Sequence, residues 1–577
     1  DEVKVGAVSG RFRARNDTPT ATRSWCQRGK TFAPPLDLGP RRGLGFWVYG
    51  DGQGEVLNLK NDVESYYFAF RFPELLFISL MLPFFYFLLE RLIGRRHAIF
   101  GFIFIATSPI LLGMSKIINP DSLLWLFTPL SLVSYLVFRK RGSFRYLILS
   151  GILLGLALLT KYIANILFVF YLGLIFLDYL FDRRYAALAF AEYLKRSLKH
   201  LAILTFAALS TFYILFPAVW VKPDKLLKGT LMSQAFEKVA PLFIILFAVI
   251  LIDQWLNRSR ITSGLAELFV RFRRTRALSG AGLFLVSIAF VAADVWMGMR
   301  PYDFMELLAS PKTVATKSAW IGVFLTNFYP LLFGVTPLVF LALFITPCFF
   351  LKKDFSDSIA LRTAFYLVVF ILLYHLGATV NGVASIVRYQ IILFPMAAII
   401  AGIAFEHILS MLHKRFGIKE MPTPVFAASA LALIGAISLF FTPYPLSYAS
   451  TMLPAKYHID MKDMGAGSYE AAMWLNSRPG AKDMLIWTDK DGVCKFFVGR
   501  CKRGLDYQKL RTDGLDYIVT SAGRESRTTK MMAGDITNQK PGLIRFDQYY
   551  DRTDTAHEID INGRRSHFVK IFKFETQ

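Results

Sequence analysis

Residues 108–162 read SPILLGMSKIINPDSLLWLFTPLSLVSYLVFRKRGSFRYLILSGILLGLALLTKY. Two apolar runs in this stretch approach the roughly 20 helical residues that cross a bilayer's hydrocarbon core. Lys116, Asp121 and Lys161 sit at or just beyond the ends of those runs. Ionisable groups at membrane depth are costly, so they mark a function before they mark anything else. Between the runs lies FRKRGSFR, a short basic turn that the positive-inside tendency assigns to the cytoplasm. Asp121 and Lys161 then share the opposite face, where an acid meets a base.

Working outward, further apolar spans are expected at about 72–92, 97–114, 121–138, 145–160, 162–181, 200–220, 240–256, 279–297, 329–350, 361–378, 389–408 and 424–441. The fold class is therefore a polytopic α-helical membrane protein of about twelve helices. Composition agrees, with 54% hydrophobic and 15% aromatic residues over 577 positions. The formal charge of +24 is no nucleic-acid footprint, because the Lys and Arg excess collects in alternate loops. These are ERLIGRRH, FRKRGSFR, DRRYAALAFAEYLKRSLKH, NRSRITSGLAELFVRFRRTR, LKKDFSDSIALR and HILSMLHKRFGIKE. They belong in the cytoplasm, which puts both ends of the chain outside. Around Tyr185–Lys199 and Ile261–Arg276 the mixture of apolar and basic residues suits helices lying on the inner leaflet.

The flanks are of another character. Residues 1–66, with APPLDLGPRRGLG and YGDGQGE, read as a long first extracytoplasmic loop, and loops of that length are usually functional or disordered. Residues 67–441 form the membrane domain. From 442 to 577 the apolar runs stop, and a small extracytoplasmic α/β domain is expected: a helix in GSYEAAMWLNSRP and strands in DMLIWTD, LDYIVTS and SHFVKIFKFET. Cys494 and Cys501 stand at a spacing that two strands of a hairpin bridge, so an extracytoplasmic disulfide and two unpaired thiols are the alternatives.

On the outer face the topology gathers Asp1, Glu2, Lys30, Arg71, Lys116, Asp121, Lys161, the VKPDKLLKG loop after Trp220, and Arg388. Basic groups there suit a phosphate or pyrophosphate head group, and carboxylates suit proton removal from an acceptor. Each has a plainer reading. Arg71, Lys116 and Lys161 can snorkel to the interface. Asp121 in NPD is an attractive helix N-cap. Arg388 and Tyr389 can be an interfacial anchor pair. Taken together the set suits group transfer from a lipid phosphate. The rival is a lipid or solute transporter or flippase, which calls for charges near the midplane and two related halves.

The order of these elements resembles one family. Asp1 and Glu2, the PPL of Pro34–Leu36, RFP at Arg71–Pro73, SP at Ser108–Pro109, NPD at Asn119–Asp121, GILLGLALLTKY, the Trp220 loop and the late RY follow one another as in the GT-C superfamily of membrane glycosyltransferases. The resemblance is to the branch of protein O-mannosyltransferases and lipid A aminoarabinose transferases. It implies an inverting glycosyltransferase that moves a sugar from a polyprenyl-phosphate donor to a protein, lipid or glycan acceptor on the extracytoplasmic face of the plasma (inner) membrane. It implies Asp1 as the catalytic carboxylate at the start of the first outer loop, with a first helix preceding it, and Asp121 as the second carboxylate. Lys161, Arg388 and Arg71 become donor-phosphate ligands. A divalent metal held by Asp1, Glu2 and Asp121 is a further expectation. Ala33 departs from those relatives that carry Lys or His before the proline, so Lys30 or another group is expected to substitute.

Overall fold

The structure is a computed structural model that describes residues 63–299, 320–503, 514–525 and 546–574, apart from residues 187, 231, 234–235, 353, 384, 418–422, 441 and 462–464. Seven of its helices are long and apolar enough to cross a membrane, or nine if each of two bent pairs counts as one span. They include Tyr67–Ile93, Asp121–Arg141, Phe190–Leu215, Ile359–Asn381 and Leu393–Phe416. Shorter apolar helices cover Phe144–Thr160, Trp320–Gly334 and Pro337–Phe349. Each of the twelve expected stretches falls on helix, and the differences lie where a span breaks. The run at 97–114 bends by 61° between Ala106 and Pro109. There Ser108 takes extended backbone and accepts the amide of Leu111, and Pro109 opens the next helix with no amide to leave unpaired. The run at 329–350 divides ahead of Pro337 for the same reason. The first span also starts earlier than expected, at Val63.

Helix Asp121–Arg141 is the axis of the bundle, because 94% of its apolar window is buried in protein, against 22% for the helix at Tyr67–Ile93. Small residues let its neighbours close in. A Cβ added at Gly151 meets Ala207 Cβ and the Leu204 carbonyl at 2.6 Å, and one at Gly155 meets the Ala208 carbonyl at 2.5 Å. The two glycines of GILLG thus set the approach of helix Phe144–Thr160 to helix Phe190–Leu215, the use small residues have where lipid offers no hydrophobic drive. Halfway down, Tyr171 Oη lies 2.6 Å from Ser131 Oγ and 3.2 Å from Ser150 Oγ, so three helices satisfy one another's hydroxyls.

The end of the bundle away from Asp121 is held by charge. Asp178 accepts from Arg139 Nε at 2.6 Å and from Tyr366 Oη at 2.9 Å, and Arg139 donates also to Tyr193 Oη at 2.7 Å. One turn on, Asp182 takes Arg184 at 2.6 Å and Arg362 at 3.0 Å. Several arginines that the charge pattern assigns to loops are therefore turned into the protein. Breaking such a buried pair on one side costs about 3–5 kcal/mol, since the survivor stays desolvated.

The C-terminal residues form a five-stranded sheet. Strands β1 (Leu485–Thr488), β2 (Arg500–Arg503), β3 (Tyr517–Ser521), β4 (His557–Ile561) and β5 (Arg564–Lys573) lie in the order β2-β1-β3-β5-β4. The first three are parallel, and β5 runs antiparallel to β3 and β4. The expected helix (Ser468–Asn476) and three strands are present; β2, with no buried residue, and β4, alternating between partly exposed and exposed residues up to Ile561, are additional to them. At the end of β1 Asp489 accepts from the Ser521 amide and hydroxyl at 3.0 and 2.9 Å and from Tyr550 Oη at 2.8 Å. Burial pushes its carboxyl up to about 6 despite those donors. Residues 444–461 seat the sheet on the membrane part: the Ser450 amide donates to the Phe333 carbonyl at 2.8 Å and Trp296 Nε1 to the Met452 carbonyl at 2.7 Å.

Cys494 and Cys501 form a disulfide across a Cα separation of 5.4 Å. It does not bridge a hairpin. Cys494 lies on the helix Asp491–Phe496 and Cys501 on β2, because a parallel β1–β2 pair needs a crossover rather than a tight turn.

Gly151→Val with Gly155→Val is expected to lower the thermal midpoint in detergent by an overpacking penalty of about 1–3 kcal/mol per site. Gly173→Ala, where an added Cβ meets nothing within 4 Å, is expected to leave it unchanged or slightly raised. Alkylation under denaturing, non-reducing conditions is expected to modify Cys348 and spare Cys494 and Cys501. Cys494→Ser with Cys501→Ser is expected to cost the outer sheet about 2 kcal/mol, measured by limited proteolysis in denaturant.

Candidate functional site

Asp121 is the first residue of its helix, yet it does not cap it. Asn119 does part of that work: its Oδ1 accepts the Asp121 amide at 3.0 Å, while Ser122 Oγ donates to the Asn119 carbonyl at 2.5 Å. The Asp121 carboxylate is thereby left to turn inward, where it is completely buried. A carboxylate in that position must be paired or it costs several kcal/mol. Both oxygens are paired. Lys161 Nζ stands 2.7 Å from Oδ1, and Arg388 Nε 2.5 Å from Oδ2. Arg388 also reaches Asn119 Oδ1 at 3.4 Å through its outer nitrogen.

Each cation is delivered by the junction between two helices. Phe144–Thr160 ends with the Lys161 amide closed on the Ala157 carbonyl at 3.0 Å; Lys161 itself is extended, at φ −163°, and a 3-10 turn follows at Tyr162–Asn165. Arg388 rides on another 3-10 turn, Val387–Gln390, between the helices Ile359–Asn381 and Leu393–Phe416. That turn is tied down by Asn327. Its Oδ1 accepts from Ser385 Oγ at 2.8 Å, its carbonyl from Gln390 Nε2 at 2.6 Å, and its Nδ2 donates to Thr379 Oγ1 at 3.0 Å. Tyr374 Oη donates to the Tyr389 carbonyl, and the Tyr389 ring lies 4.9 Å below the Lys161 ammonium.

The electrostatic consequence is asymmetric. Asp121 is 0% exposed, while the side chains of Lys161 and Arg388 keep 30% and 38% of their surface. One hidden negative charge holds two positive charges at a surface, so the cluster is a net cation with its donors fixed in place. Such a site takes an anion, and a phosphate in particular suits an arginine beside a lysine.

Of the residues expected on this face, Asp121, Lys161 and Arg388 come together. Arg71 does not join them; it stands exposed with its guanidinium 5.1 Å from the centre of the Tyr67 ring. Lys116 is exposed, and Lys228 of the loop after Trp220 pairs with Asp224 at 2.6 Å one turn away. Asp1, Glu2 and Lys30 lie outside the described residues. The N-cap reading of Asp121 and the anchor reading of Arg388 and Tyr389 both give way, because each side chain turns toward the other two segments rather than to its own helix end or the interface. Sequence reading passed over Asn119, Asn327 and Glu74, which accepts from Ser122 Oγ. Only Asn119 carried a visible signal, the Asn-Pro that precedes the acid.

A divalent ion shared by Asp1, Glu2 and Asp121 requires free oxygens on Asp121, and both are taken by cations. Among the described residues no group of three or more His, Cys, Asp or Glu is placed to hold a metal. The described residues do not fit the ion.

No curated protein matches the chain. Solved structures of the Archaeoglobus fulgidus oligosaccharyltransferase are similar at a distance: one tethered to an acceptor peptide containing the NVT sequon (14% identity, TM-score 0.37), one with Zn and sulfate (14%, 0.34) and one in the apo form (12%, 0.35). They align with 82%, 78% and 82% of this chain, which spans 60%, 56% and 60% of their length. Such scores leave the argument to this chain's own residues. Residues 63–220 match the family model described as dolichyl-phosphate-mannose-protein mannosyltransferase. That match covers the central helix, Asp121 and Lys161, and residues 63–220 are similar to that family.

Proposed function

We propose that the chain transfers a sugar from a polyprenyl-phosphate donor to a hydroxyl or amine acceptor, at the membrane face where Asp121, Lys161 and Arg388 meet. That face is the extracytoplasmic one of a plasma membrane, the C-terminal sheet lies on it, and the membrane helices hold the lipid. One observation supports this reading above the others: a wholly buried carboxylate presents two partly exposed cations from two other segments. The matched family, named for a dolichyl-phosphate sugar donor, supplies an anion of the kind such cations bind.

In the proposed reaction the acceptor oxygen or nitrogen attacks the anomeric carbon and forms the new bond. The bond from that carbon to the phosphate oxygen breaks on the opposite face, and the phosphate leaves with the electron pair, so configuration inverts. Lys161 and Arg388 stabilise the charge that develops on the leaving phosphate. Preorganised cations do this without reorganisation cost, because Asp121 already holds them in position. Asp121 is thus a positioning residue. Asp1, at the start of the first outer loop, takes the acceptor proton.

The test is release of polyprenyl phosphate by the full chain in liposomes, offered a panel of polyprenyl-phosphate sugars and acceptors. Sugar-dependent release is expected, with Lys161→Ala and Arg388→Ala each lowering it by about 10²–10³, and Asp1→Asn by about 10²–10⁴. Asp121→Asn is expected to weaken both activity and thermal stability, because two neighbouring cations lose their counter-charge. Donor left intact with every acceptor, together with passage of the donor across the bilayer, would replace the transferase by a transporter.

A further inference from the structure

The end of the molecule opposite Asp121 carries a second surface, independent of the transferase reading. Helix Ala240–Leu256 stops and the chain bends by 112° into the helix Arg260–Arg271. Asp253 makes the corner: its carboxylate accepts the amides of Ile261 and Thr262 at 3.2 and 2.8 Å and the Thr262 hydroxyl at 2.8 Å, and its carbonyl accepts the Ser259 amide at 2.9 Å. A helix turned through a right angle by its own cap cannot cross the bilayer beside its predecessor. It runs across the bundle end instead, with Glu267 near Tyr179 in the last turn of the helix Ile166–Phe181.

The side chains of this helix fall into three sectors. Thr262 and Ala266 are buried against the bundle. Ile261, Leu265, Leu268 and Phe272 recur at the spacing of one helical stripe, and each is about half exposed, at 56%, 49%, 47% and 46%. The third sector and both flanks are basic: Arg258, Arg260, Arg271, Arg273, Arg274 and Arg276 are all exposed, and Glu267 is the single acid on the helix. Among the described residues none of the six arginines forms a salt bridge. Two instead lie over rings of this segment, Arg276 at 3.5 Å from the Phe269 centre and Arg271 at 5.9 Å from that of Phe272. Lys195, Arg196 and Lys199 add exposed charge on the first turns of the helix Phe190–Leu215, which packs beside it.

An apolar stripe at right angles to a spanning helix, with unpaired guanidinium groups beside it, matches the boundary between acyl chains and anionic head groups. We propose that the segment 258–276 is a binding surface for anionic phospholipid in the leaflet opposite the Asp121 site: the stripe enters the acyl region, and the arginines bind lipid phosphates from the head-group level. The long aliphatic stems of the arginines let their charges reach that level while the helix sits lower.

The test uses the full chain reconstituted in phosphatidylcholine with trace spin-labelled phosphatidylglycerol or spin-labelled phosphatidylcholine. The motionally restricted lipid at the protein surface is expected to favour phosphatidylglycerol by roughly fivefold, about the effect of one well-placed basic residue, and to lose most of that preference in 1 M salt. Arg271→Gln, Arg273→Gln, Arg274→Gln and Arg276→Gln together are expected to bring the ratio near one, while the four Arg→Lys replacements keep it. A nitroxide at Leu268→Cys, in a Cys26→Ser and Cys348→Ser background, is expected to report the acyl region, accessible to oxygen and shielded from an aqueous relaxant. Equal retention of the two lipids by the unaltered chain, an unchanged ratio in the glutamine variant, or a label at 268 exposed to water would each overturn the proposal. The last result would leave the stripe facing a protein partner.

Discussion

A carboxylate with no exposed surface has to be neutralised from within the protein, and at Asp121 that requirement brings together segments 40 and 267 residues away along the chain. Lys161 can reach it only because a helix ends one residue earlier. Arg388 reaches it from a short 3-10 turn in the connection between two spans, which Asn327 holds through Ser385 and Gln390. The junctions between helices are therefore part of the site. Their loose ends are where backbone and side chains are free to converge, and the polar groups they release are satisfied by the neighbouring segments.

The rest of the membrane part is consistent with holding that convergence in place. At the other end Arg139 and Asp178, with Tyr193 and Tyr366, tie four helices into one layer, and Asp182 draws in Arg362 from the same helix as Tyr366. Between the two charged layers the contacts are short hydroxyl bonds among Ser131, Ser150 and Tyr171, and close approaches at Gly151 and Gly155. Fixing both ends of the same helices leaves little freedom for Lys161 or Arg388 to drift. Preorganisation of that kind is what makes a cation effective against a charge that grows during reaction.

The two ends differ in what their charges are left to do. At the Arg139 end both members of the main pair are buried, so the interaction is spent on the fold. At the Asp121 end only the anion is buried, and the cations keep a surface. The arginines around helix Arg260–Arg271 go further still and have no acid partner among the described residues, which suits a surface whose counter-charge lies outside the protein. Burial and pairing sort basic residues that look alike in a sequence into structural, site-forming and surface-binding ones.

The sequence by itself determined the membrane class, the places of the spans, the separate C-terminal α/β region and the nearness of Cys494 to Cys501. Each of these is local: a span needs about 20 apolar residues in a row, a strand needs a short run of β-formers, and a disulfide within eight residues needs little chain geometry. It also brought Asp121, Lys161 and Arg388 onto one face, since alternation of loops follows from charge and length. Tertiary structure decided what those residues do there. An acid after Asn-Pro at a helix start has the same appearance whether it caps the helix or accepts two cations, and an Arg-Tyr at a span's edge looks the same as an anchor or as a ligand. The choice depends on distances between segments that are remote along the chain, set by where helices break and how closely glycines let them approach. Those quantities belong to the packed bundle, so Asn327 left no mark in the sequence, and Arg71, which looked equivalent to Arg388, stands apart over Tyr67.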